Sequence, residues 1–414
     1  MAEINRRKFL TASIGVGAAG LLAGAASCSW LDLQQAAERA QLPDGAGVLV
    51  IVTLYGGNDG LSTVIPFPDN AYHDARPDLA YAPGEVIPLD DQLGLNPVLK
   101  GLHKLWDEQK LAIVRGVTYP KPSRSHFRSM DIWQSASPLE SVPTGWIGRW
   151  LDATGDDPVR AINIGAVLPP MAVGEKYTAS ALARDMSPLP AEVVAALDTV
   201  GVDDPQDTAA MTAIRTAYRS SRAVGSALEP VIASGDTAVS GGTNVGGLTS
   251  ADLYGKNTLA AQLNVVSRCV KAAVPSRVYM VSLGGFDLHT DERESQQQLL
   301  SVVDEALTPF LREMSTDPHG KDVVVMVYSE FGRRVRANAS YGTDHGTAGP
   351  VFICGQPVKG GFYGEQPSLT DLDDGDLKGD TDFRDIYHEL LVHTIGTDPE
   401  PVIGPGRRDI GFLV

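Results

Sequence analysis

The chain is poor in cysteines, aromatic residues and basic residues, and it has no long hydrophobic run. Its 414 residues include three cysteines, which excludes the disulfide framework of a small secreted domain. One disulfide between Cys269 and Cys354 stays open, although Cys354 lies in an apolar strand pattern where a buried thiol is expected. Lys and Arg number 34 against 51 Asp and Glu, and the net charge of −17 argues against nucleic acid and anionic membrane surfaces as partners.

The N-terminal segment has the composition of an export signal. Residues 5–28 combine Arg6 and Arg7 with a short apolar run rich in Gly and Ala, followed by small residues. This run is too short and contains too many glycines to cross a bilayer as a helix. We therefore expect residues 1–27 to be a twin-arginine signal peptide, which the twin-arginine translocase would use to export the protein to the periplasm or cell surface.

Two ways of processing this signal stay open. Small residues at 23–25 suit a signal peptidase, whereas the stretch Ala25-Ala-Ser-Cys28 loosely resembles the lipobox that leaves a lipid-modified cysteine. We expect contact with a membrane only through such a lipid on Cys28. Residues 28–45 are polar and rich in Gln and Ala, and this composition indicates a tether.

The remaining residues, 46–414, predict one α/β domain. Short apolar segments without polar alternation are typical of buried parallel strands. These segments are 48–54, 111–114, 161–164, 278–283, 323–328 and 351–354. Helical patterns lie between them, such as the apolar residues at three-to-four spacing over 299–314, and the alternation predicts a doubly wound, mostly parallel sheet. Residues 187–257, first Ala-rich and then rich in Gly, Ser and Thr, indicate a helical insertion with a loop.

Polar residues follow the first two predicted strands. Asn58 and Asp59 lie in a glycine-rich turn that suits a ligand or ion, although Asp59 could instead cap the next helix. Ser125 begins a predicted helix, with Arg124 and His126 beside it. Such a serine can act as a nucleophile whose developing anion is stabilised by backbone N–H groups and guanidinium charge, or it can be a plain N-cap.

A third loop carries a carboxylate and an imidazole two residues apart. Asp287 and His289 follow the strand 278–283, and an extended chain would point both side chains to one side. This pair suits zinc, manganese or iron. The alternative is a helix cap with a hydrogen-bonded histidine.

Two more loops add charged residues near the last two strands. Glu330 and Arg333 follow the strand 323–328, where Glu330 can bind a cation and Arg333 can hold an anionic group through two hydrogen bonds. Asp344 and His345 precede the last strand and form another candidate ligand pair. A salt-bridged turn is the alternative. Since these loops adjoin the carboxyl ends of parallel strands, we expect them to meet in one site.

Motifs along nearly the whole chain, in the right order, resemble those of the bacterial family called domain of unknown function 1501. They follow the twin-arginine start and are Gly56-Gly-Asn-Asp-Gly-Leu61, Ser125-His-Phe-Arg-Ser-Met-Asp-Ile-Trp133, Gly284-Gly-Phe-Asp-Leu-His-Thr290, Ser329-Glu-Phe-Gly-Arg333 and Gly342-Thr-Asp-His-Gly-Thr347. That family is similar to a divergent branch of the alkaline phosphatase and sulfatase superfamily, whose members are α/β metal-dependent hydrolases or transferases of phosphate and sulfate esters.

The resemblance implies roles for individual residues around two divalent metals. It implies a nucleophile at Ser125 or Ser129, and metal ligands that by chain order are Asp59, Asp287, His289, Glu330 and His345. Two departures weaken the two-metal expectation: Glu330-Phe331 stands where the superfamily has Asp followed by His, and Asp287 and His289 are closer together than usual. A single metal, a harder ion such as calcium or magnesium, or no metal stay open.

The sequence therefore predicts an exported hydrolase of phosphate or sulfate esters that depends on a divalent metal such as zinc, manganese or calcium. Its expected partner is an anionic ester, either a small molecule or a polymer. The alternatives are a non-catalytic binding or scaffold protein that keeps the same fold, and a cell-surface polymer-binding protein with a calcium-binding acidic cleft.

Overall fold

The computed structural model describes residues 28–182 and 258–414, apart from residues 29, 156, 158, 166 and 167. The expected signal peptide and the expected insertion at 187–257 lie outside the described residues. The described chain forms two compact units. The first holds residues 28–42, 143–182 and 272–276, and the second holds residues 43–142, 258–271 and 277–414.

The described residues alternate between strands and helices. The strands are β1 Val48–Leu54, β2 Val64–Ile65, β3 Ile87–Pro88, β4 Gly94–Leu95, β5 Leu111–Thr118, β6 Ala161–Ile164, β7 Ser180–Leu182, β8 Val278–Leu283, β9 Val323–Ser329, β10 Arg333–Ala337, β11 Thr343–His345, β12 Gly349–Gly355, β13 Gly361–Tyr363, β14 Leu372–Asp373, β15 Asp376–Leu377 and β16 Thr381–Asp382. The α-helices are α1 Trp30–Arg39, α2 Gly60–Thr63, α3 Asn70–Ala75, α4 Lys100–Asp107, α5 His126–Ser135, α6 Trp146–Thr154, α7 Thr258–Lys271, α8 Glu292–Thr316, α9 Phe383–Glu389 and α10 Glu400–Ile403. Single turns of 3₁₀ helix occupy Pro170–Ala172 and Gly320–Asp322, and Leu390–Ile395 is π-helical.

The second unit is built on a mixed, mostly parallel sheet. Its strand order is β13-β5-β12-β9-β1-β8, with β16 also paired to β5. Strand β1 is parallel to both β8 and β9, and all seven of its residues are buried. Burial on both faces explains why this strand is apolar throughout instead of alternating. The predicted α/β class is therefore confirmed.

Strand β12 departs from the predicted parallel arrangement. It lies between β5 and β9 and is antiparallel to both. The short strands β10 and β11 connect β9 to β12 without a crossover helix, so the chain returns in the opposite direction. The prediction of a parallel strand at 351–354 is wrong because a strand buried on both faces has the same apolar composition in either direction.

Helix α8 packs against the sheet through the apolar stripe that its sequence predicts. The buried residues along it include Leu299, Leu300, Val303, Leu307, Phe310, Leu311 and Met314. The carboxylate of Asp304 accepts hydrogen bonds from the backbone N–H groups of Gly101 and Leu102 at 2.9 and 2.7 Å, which joins α4 to α8. None of the helices described by the structure is both long and apolar enough to span a membrane.

The first unit contains part of the segment expected to act as a tether. Within residues 28–45, helix α1 runs from Trp30 to Arg39 and buries Leu33 and Ala37, which lie one turn apart. Strands β6 and β7 pair in parallel in the same unit.

The two remaining cysteines that could have formed a disulfide are both buried thiols. Cys269 lies in α7 and Cys354 in β12, and the structure contains no bond between them. Burial raises the pKa of the Cys354 thiol to about 12. The expectation of a buried thiol at Cys354 is confirmed.

The strand directions bring five loops to one edge of the sheet. The residues after β1, β5, β8 and β9 leave at the carboxyl ends of strands that share one direction. Because β12 runs the other way, the residues just before it, including β11, reach the same edge. This edge is where polar side chains from distant parts of the chain meet.

Candidate metal centre

Three imidazoles and one carboxylate converge at this edge. His345 Nε2 lies 3.1 Å from His126 Nε2, 2.9 Å from His289 Nε2 and 3.0 Å from Asp287 Oδ1. His289 Nε2 is also 2.9 Å from Asp287 Oδ1, and His126 Nε2 is 3.4 Å from Asp287 Oδ2. Ligand atoms of His126, Asp287 and His345 all lie within 4.8 Å of one another.

The opposite edges of the imidazoles face hydrogen-bond acceptors. His126 Nδ1 lies 2.8 Å from Glu330 Oε1, and His345 Nδ1 lies 2.9 Å from the carbonyl of Arg124. His289 Nδ1 is 3.5 Å from Asp344 Oδ1. An acceptor at Nδ1 holds the ring proton there, and in the neutral ring it leaves a lone pair on Nε2. Lone pairs and a carboxylate therefore point at one another in the centre of the cluster.

These ligand atoms are more stable with a cation between them than without one. Lone pairs facing one another repel, and a bound cation would turn each of them into a favourable contact. Ligands placed around a tetrahedral metal at about 2.0–2.2 Å lie roughly 3.4 Å apart. The separations of 2.9 to 3.4 Å in this cluster are close to that value. Three imidazoles and one carboxylate are typical ligands of zinc and other transition metals.

Asp287 is ionised within the cluster. Burial opposes its negative charge, but the neighbouring His345 and Arg333 outweigh burial and lower the pKa of Asp287 to about 2. Arg333 Nη2 donates to Asp287 Oδ1 at 3.0 Å. The carboxylate is therefore available as a negatively charged ligand across the physiological pH range.

Glu330 orients His126 instead of joining the cluster itself. Its carboxylate is buried and accepts hydrogen bonds from the backbone N–H groups of Gly56 at 2.9 Å and Gly57 at 3.2 Å. Burial opposes its charge, yet the hydrogen bonds from His126 and from the backbone lower the pKa of Glu330. The same contact with Glu330 raises the pKa of His126. Glu330 was expected to be a metal ligand, and the structure places its carboxylate behind the His126 ring, outside the cluster.

Arg333 joins the loops of the site and has no free donor edge for a substrate. Its buried guanidinium donates to the carbonyls of Gly56, Gly57, Phe286 and Thr343 and to the carboxylate of Asp287. Four of these acceptors are backbone carbonyls of three different loops. Arg333 therefore does not have the free guanidinium that the expected anion-holding role needs.

Asp59 lies outside the cluster and is paired with an arginine. Its two carboxylate oxygens accept from Nη1 and Nη2 of Arg76 at 2.5 and 3.0 Å, and both side chains are buried. Burial opposes its charge, but Arg76 outweighs burial and lowers the pKa of Asp59. Asp59 also accepts from the N–H of Leu61 at 3.3 Å, as a helix cap does. The expected ligand role of Asp59 is replaced by the capping alternative together with a buried ion pair.

The serines at the start of helix α5 have different surroundings. Ser125 is exposed at the N-cap, directly before His126, and its side chain makes no capping hydrogen bond. Ser129 is fully buried, where its hydroxyl donates to the carbonyl of Glu330 and accepts from the hydroxyl of Tyr119 at 2.7 Å. Of these two serines, only Ser125 has an exposed side chain.

Arg124 contributes its backbone to the cluster and its side chain to a neighbouring hairpin. The carbonyl holds His345, as described above, while the guanidinium contacts Asp374 and Asp376. Asp344 is largely exposed and lies at the margin of the cluster through its 3.5 Å contact with His289. The predicted residues thus fall into three sets. The cluster itself contains His126, Asp287, His289 and His345. Glu330, Arg333 and the Arg124 backbone contact the cluster from outside, and Asp59 lies apart from it.

Several residues around the site were not predicted. Arg76 directly follows the short helix α3, and Asp374 and Asp376 lie in an acidic hairpin with ordinary turn composition. Glu292, at the start of helix α8, is buried, and its Oε2 accepts from the hydroxyl of Thr343 at 2.6 Å. The spacing of these residues along the chain carries no signal of their contacts, which depend on how the loops meet.

The sheet and the imidazole cluster together define an α/β protein with a candidate transition-metal centre. The chain belongs to the family described as protein of unknown function DUF1501, whose model matches residues 120–411. No curated protein matches the sequence.

Several solved structures are similar to this chain at low sequence identity. A Vibrio parahaemolyticus protein in the alkaline phosphatase superfamily is 12% identical, with 100% of this chain and 80% of that chain covered and a TM-score of 0.43. The lipoteichoic acid synthase LtaP from Listeria monocytogenes is 11% identical, with coverage of 92% and 79% and a TM-score of 0.36. The alkaline phosphatase from the Antarctic bacterium TAB5 is 10% identical, with coverage of 85% and 100% and a TM-score of 0.37. Because these TM-scores are below 0.5, the fold assignment comes from the strand order and register of this chain.

Proposed function

We propose that this protein is an exported, metal-dependent hydrolase of phosphate or sulfate esters. The observation that carries the proposal is the convergence of three imidazole Nε2 atoms on the ionised Asp287 carboxylate, with acceptors behind the rings. A bound divalent metal would polarise the ester oxygens and lower the pKa of an attacking hydroxyl.

The ligands in this proposal are His126, His289, His345 and Asp287. Imidazole nitrogens favour zinc, manganese or iron, whereas calcium and magnesium prefer sites made mainly of oxygen atoms. Of the expected cofactors, zinc and manganese are thus better supported than calcium. The calcium-binding polymer protein loses its support for the same reason.

Ser125 is the nucleophile in this proposal. Its exposed hydroxyl, next to the ligand His126, would take the phosphoryl or sulfuryl group while the ester oxygen leaves as the alcohol with the serine proton. A water molecule would then release inorganic phosphate or sulfate and regenerate the serine. Backbone N–H groups at the start of helix α5 favour the negative charge that develops beside them.

The second candidate is a non-catalytic binding or scaffold protein with the same fold. One observation favours it: the guanidinium groups of Arg124 and Arg333, the two arginines predicted to hold an anionic group, both contact internal acceptors in the described structure. A substrate anion would have to displace one of these acceptors. This makes turnover, and not only metal binding, the deciding measurement.

The test is metal content followed by turnover. We expect the protein purified from its export host to contain about one equivalent of zinc, manganese or iron, and His345→Gln to lose it because His345 touches every other ligand. His388→Gln is the matched control, since His388 contacts Asp409 in another part of the unit. Elemental analysis measures this, and equal metal in the two variants would contradict the proposed centre.

Ser125→Ala separates the two candidates. For an esterase, we expect it to keep the metal and the fold but to lose turnover of aryl phosphate or sulfate esters by about a hundredfold or more. Wild-type protein that binds metal but hydrolyses none of these esters would favour the scaffold. Turnover that survives in Ser125→Ala would remove Ser125 from the proposal.

Export is part of the proposal. Arg6 and Arg7 ahead of a short Gly/Ala-rich run support recognition by the twin-arginine translocase, and Cys28 is the proposed position of a lipid. The acidic balance of the chain argues against nucleic acid as a partner. A smaller anionic ester needs cationic groups only where it binds.

A further inference from the structure

Two arginines beside the candidate metal centre share one exposed carboxylate oxygen. Arg124 Nη2 lies 2.9 Å from Asp374 Oδ2, and Arg334 Nη2 lies 3.4 Å from the same oxygen. The backbone carbonyl of Asp374 also accepts from these two groups, at 3.4 Å from Arg124 and 3.0 Å from Arg334. Two guanidinium groups converging on one anionic oxygen form the arrangement that proteins use to bind phosphate and sulfate.

A second carboxylate lies against both guanidinium groups and is hydrogen-bonded to that of Arg124. The side chain of Asp376 is only 3% exposed, and its Oδ2 lies 2.8 Å from both Nε and Nη2 of Arg124. Its Oδ1 lies 3.5 Å from Arg334 Nε. The hydrogen bond to Asp376 would keep the Arg124 guanidinium in its orientation if Asp374 moved away, and Asp376 would remain a nearby opposite charge for Arg334.

Asp374 lies at the tip of a tight hairpin. Asp374 and Gly375 form the two-residue loop between β14 and β15, with φ values of 50° and 87°. Positive φ at both positions defines a type I′ turn, for which Asp-Gly is a preferred sequence. The Asp374 side chain is 77% exposed, and ion pairs this exposed contribute little to stability. An anion from solution can therefore compete with it.

The arginine pair is connected to the metal centre through one imidazole ring. The carbonyl of Arg124 lies 2.9 Å from His345 Nδ1, while Nε2 of the same ring belongs to the cluster. Arg124 also directly precedes Ser125, the proposed nucleophile. By contrast, Arg333 is buried, and its acceptors are the backbone carbonyls that join the loops.

We propose that Arg124 and Arg334 form an oxyanion subsite of the ester-binding site, and that Asp374 occupies it until a phosphate or sulfate group displaces it. The assignment of this anion to a substrate rests on the proposed function. Anion binding by the two arginines does not require a metal. Asp374 thus acts as an internal competitor that sets the affinity for the substrate anion.

The test compares anion binding by two variants that lose the same charge. Asp374→Asn removes the competitor and keeps the turn, because Asn-Gly also suits a type I′ turn. Asp371→Asn is the matched control: Asp371 is exposed on the same stretch of chain and pairs with Lys378. We expect Asp374→Asn to bind inorganic phosphate or sulfate about tenfold more tightly than wild type, and Asp371→Asn to stay within about twofold.

Isothermal titration calorimetry at low ionic strength, with a metal chelator present, measures this without the metal centre. Separate titrations with phosphate and sulfate identify which oxyanion the subsite prefers. Adding Arg334→Gln to Asp374→Asn should abolish the gain. The subsite would be overturned if Asp374→Asn and Asp371→Asn gained anion affinity equally, or if Asp374→Asn bound neither phosphate nor sulfate. If the protein purified from its export host contains no metal and Asp374→Asn still passes this test, the proposed hydrolase is overturned and the subsite stands.

Discussion

At the scale of single residues, three buried ionisable groups share one network beneath the glycine-rich loop. Arg76 holds Asp59 in an ion pair, and it also donates to the carbonyls of Val335 and Arg334 at 2.8 Å each. Glu292 is the third group, and burial, followed by the nearby charge of Asp59, raises its pKa well above the ordinary value of 4.5. Asp59 therefore balances the charge of the arginine, and Glu292 holds its proton more tightly than an ordinary glutamic acid does.

This proton makes stability depend on pH in a definite direction. Above pH 4.5 the unfolded chain releases the Glu292 proton while the folded protein keeps it, so stability falls as pH rises towards the folded pKa. The slope is roughly 1.4 kcal/mol for each pH unit of that range. Glu292→Gln should flatten the decline above pH 4.5, because Gln mimics the protonated carboxyl.

Denaturant unfolding at several pH values measures the effect. Glu294→Gln is the matched control, since Glu294 lies on the same helical turn and is exposed. A decline with pH that is the same in wild type, Glu292→Gln and Glu294→Gln would mean that Glu292 is already ionised in the folded protein.

At the scale of elements, the C-terminal residues are fastened by one buried carboxylate at the end of helix α9. Glu389 accepts hydrogen bonds from the backbone N–H groups of Ile410, Gly411 and Leu413 at 2.6 to 2.7 Å. Leu413 also forms an isolated bridge with Val358, next to the strand β12 that ends at Gly355. The tail is thus a structural part of the sheet unit.

Removing this carboxylate should loosen the tail. We expect Glu389→Ala to lower the free energy of unfolding by about 3 kcal/mol, because three N–H groups lose a charged acceptor in a buried place. Amide hydrogen exchange at residues 410–413 should become faster in the same variant. The exposed Glu365→Ala is the control, and full protection of these amides in Glu389→Ala would show that other contacts hold the tail.

Most elements could be predicted from the sequence because they depend on local pattern. The apolar runs and the stripe of helix α8 correspond to strands and buried faces at nearly the expected positions. Strand direction could not be predicted for β12, since burial on both faces removes any directional signal from composition. Helix α1 could not be predicted because it is short and its sequence is rich in Gln and Ala, which is also typical of a tether.

Part of the site could also be predicted. Asp287, His289 and His345 were expected together because each adjoins a strand end, and the structure brings them to within 3.0 Å. His126 was expected beside the candidate nucleophile Ser125, and its position among the imidazoles of the cluster depends on Glu330, which is distant in sequence. Asp59 was misassigned because its partner Arg76 has no sequence signature.

At the scale of the whole molecule, the proposed export route can be tested with the full chain. We expect the double variant Arg6→Lys/Arg7→Lys to accumulate as uncleaved precursor inside the cell, because the translocase recognises the paired arginines. Cell fractionation measures this. Lys8→Gln removes an adjacent charge but keeps the pair, and equal export of the two variants would contradict this route.

The position of β12 between β5 and β9 has a consequence for how the chain folds. Strands β5 and β9 are more than 200 residues apart in sequence, and only residues 349–355 complete the sheet between them. Until those residues are synthesised, both neighbours present unpaired backbone edges, which are sites of misassembly between chains. Such long-range pairing is also slow to form. A nascent chain of this protein therefore has its greatest need of chaperones just before residues 349–355 are made.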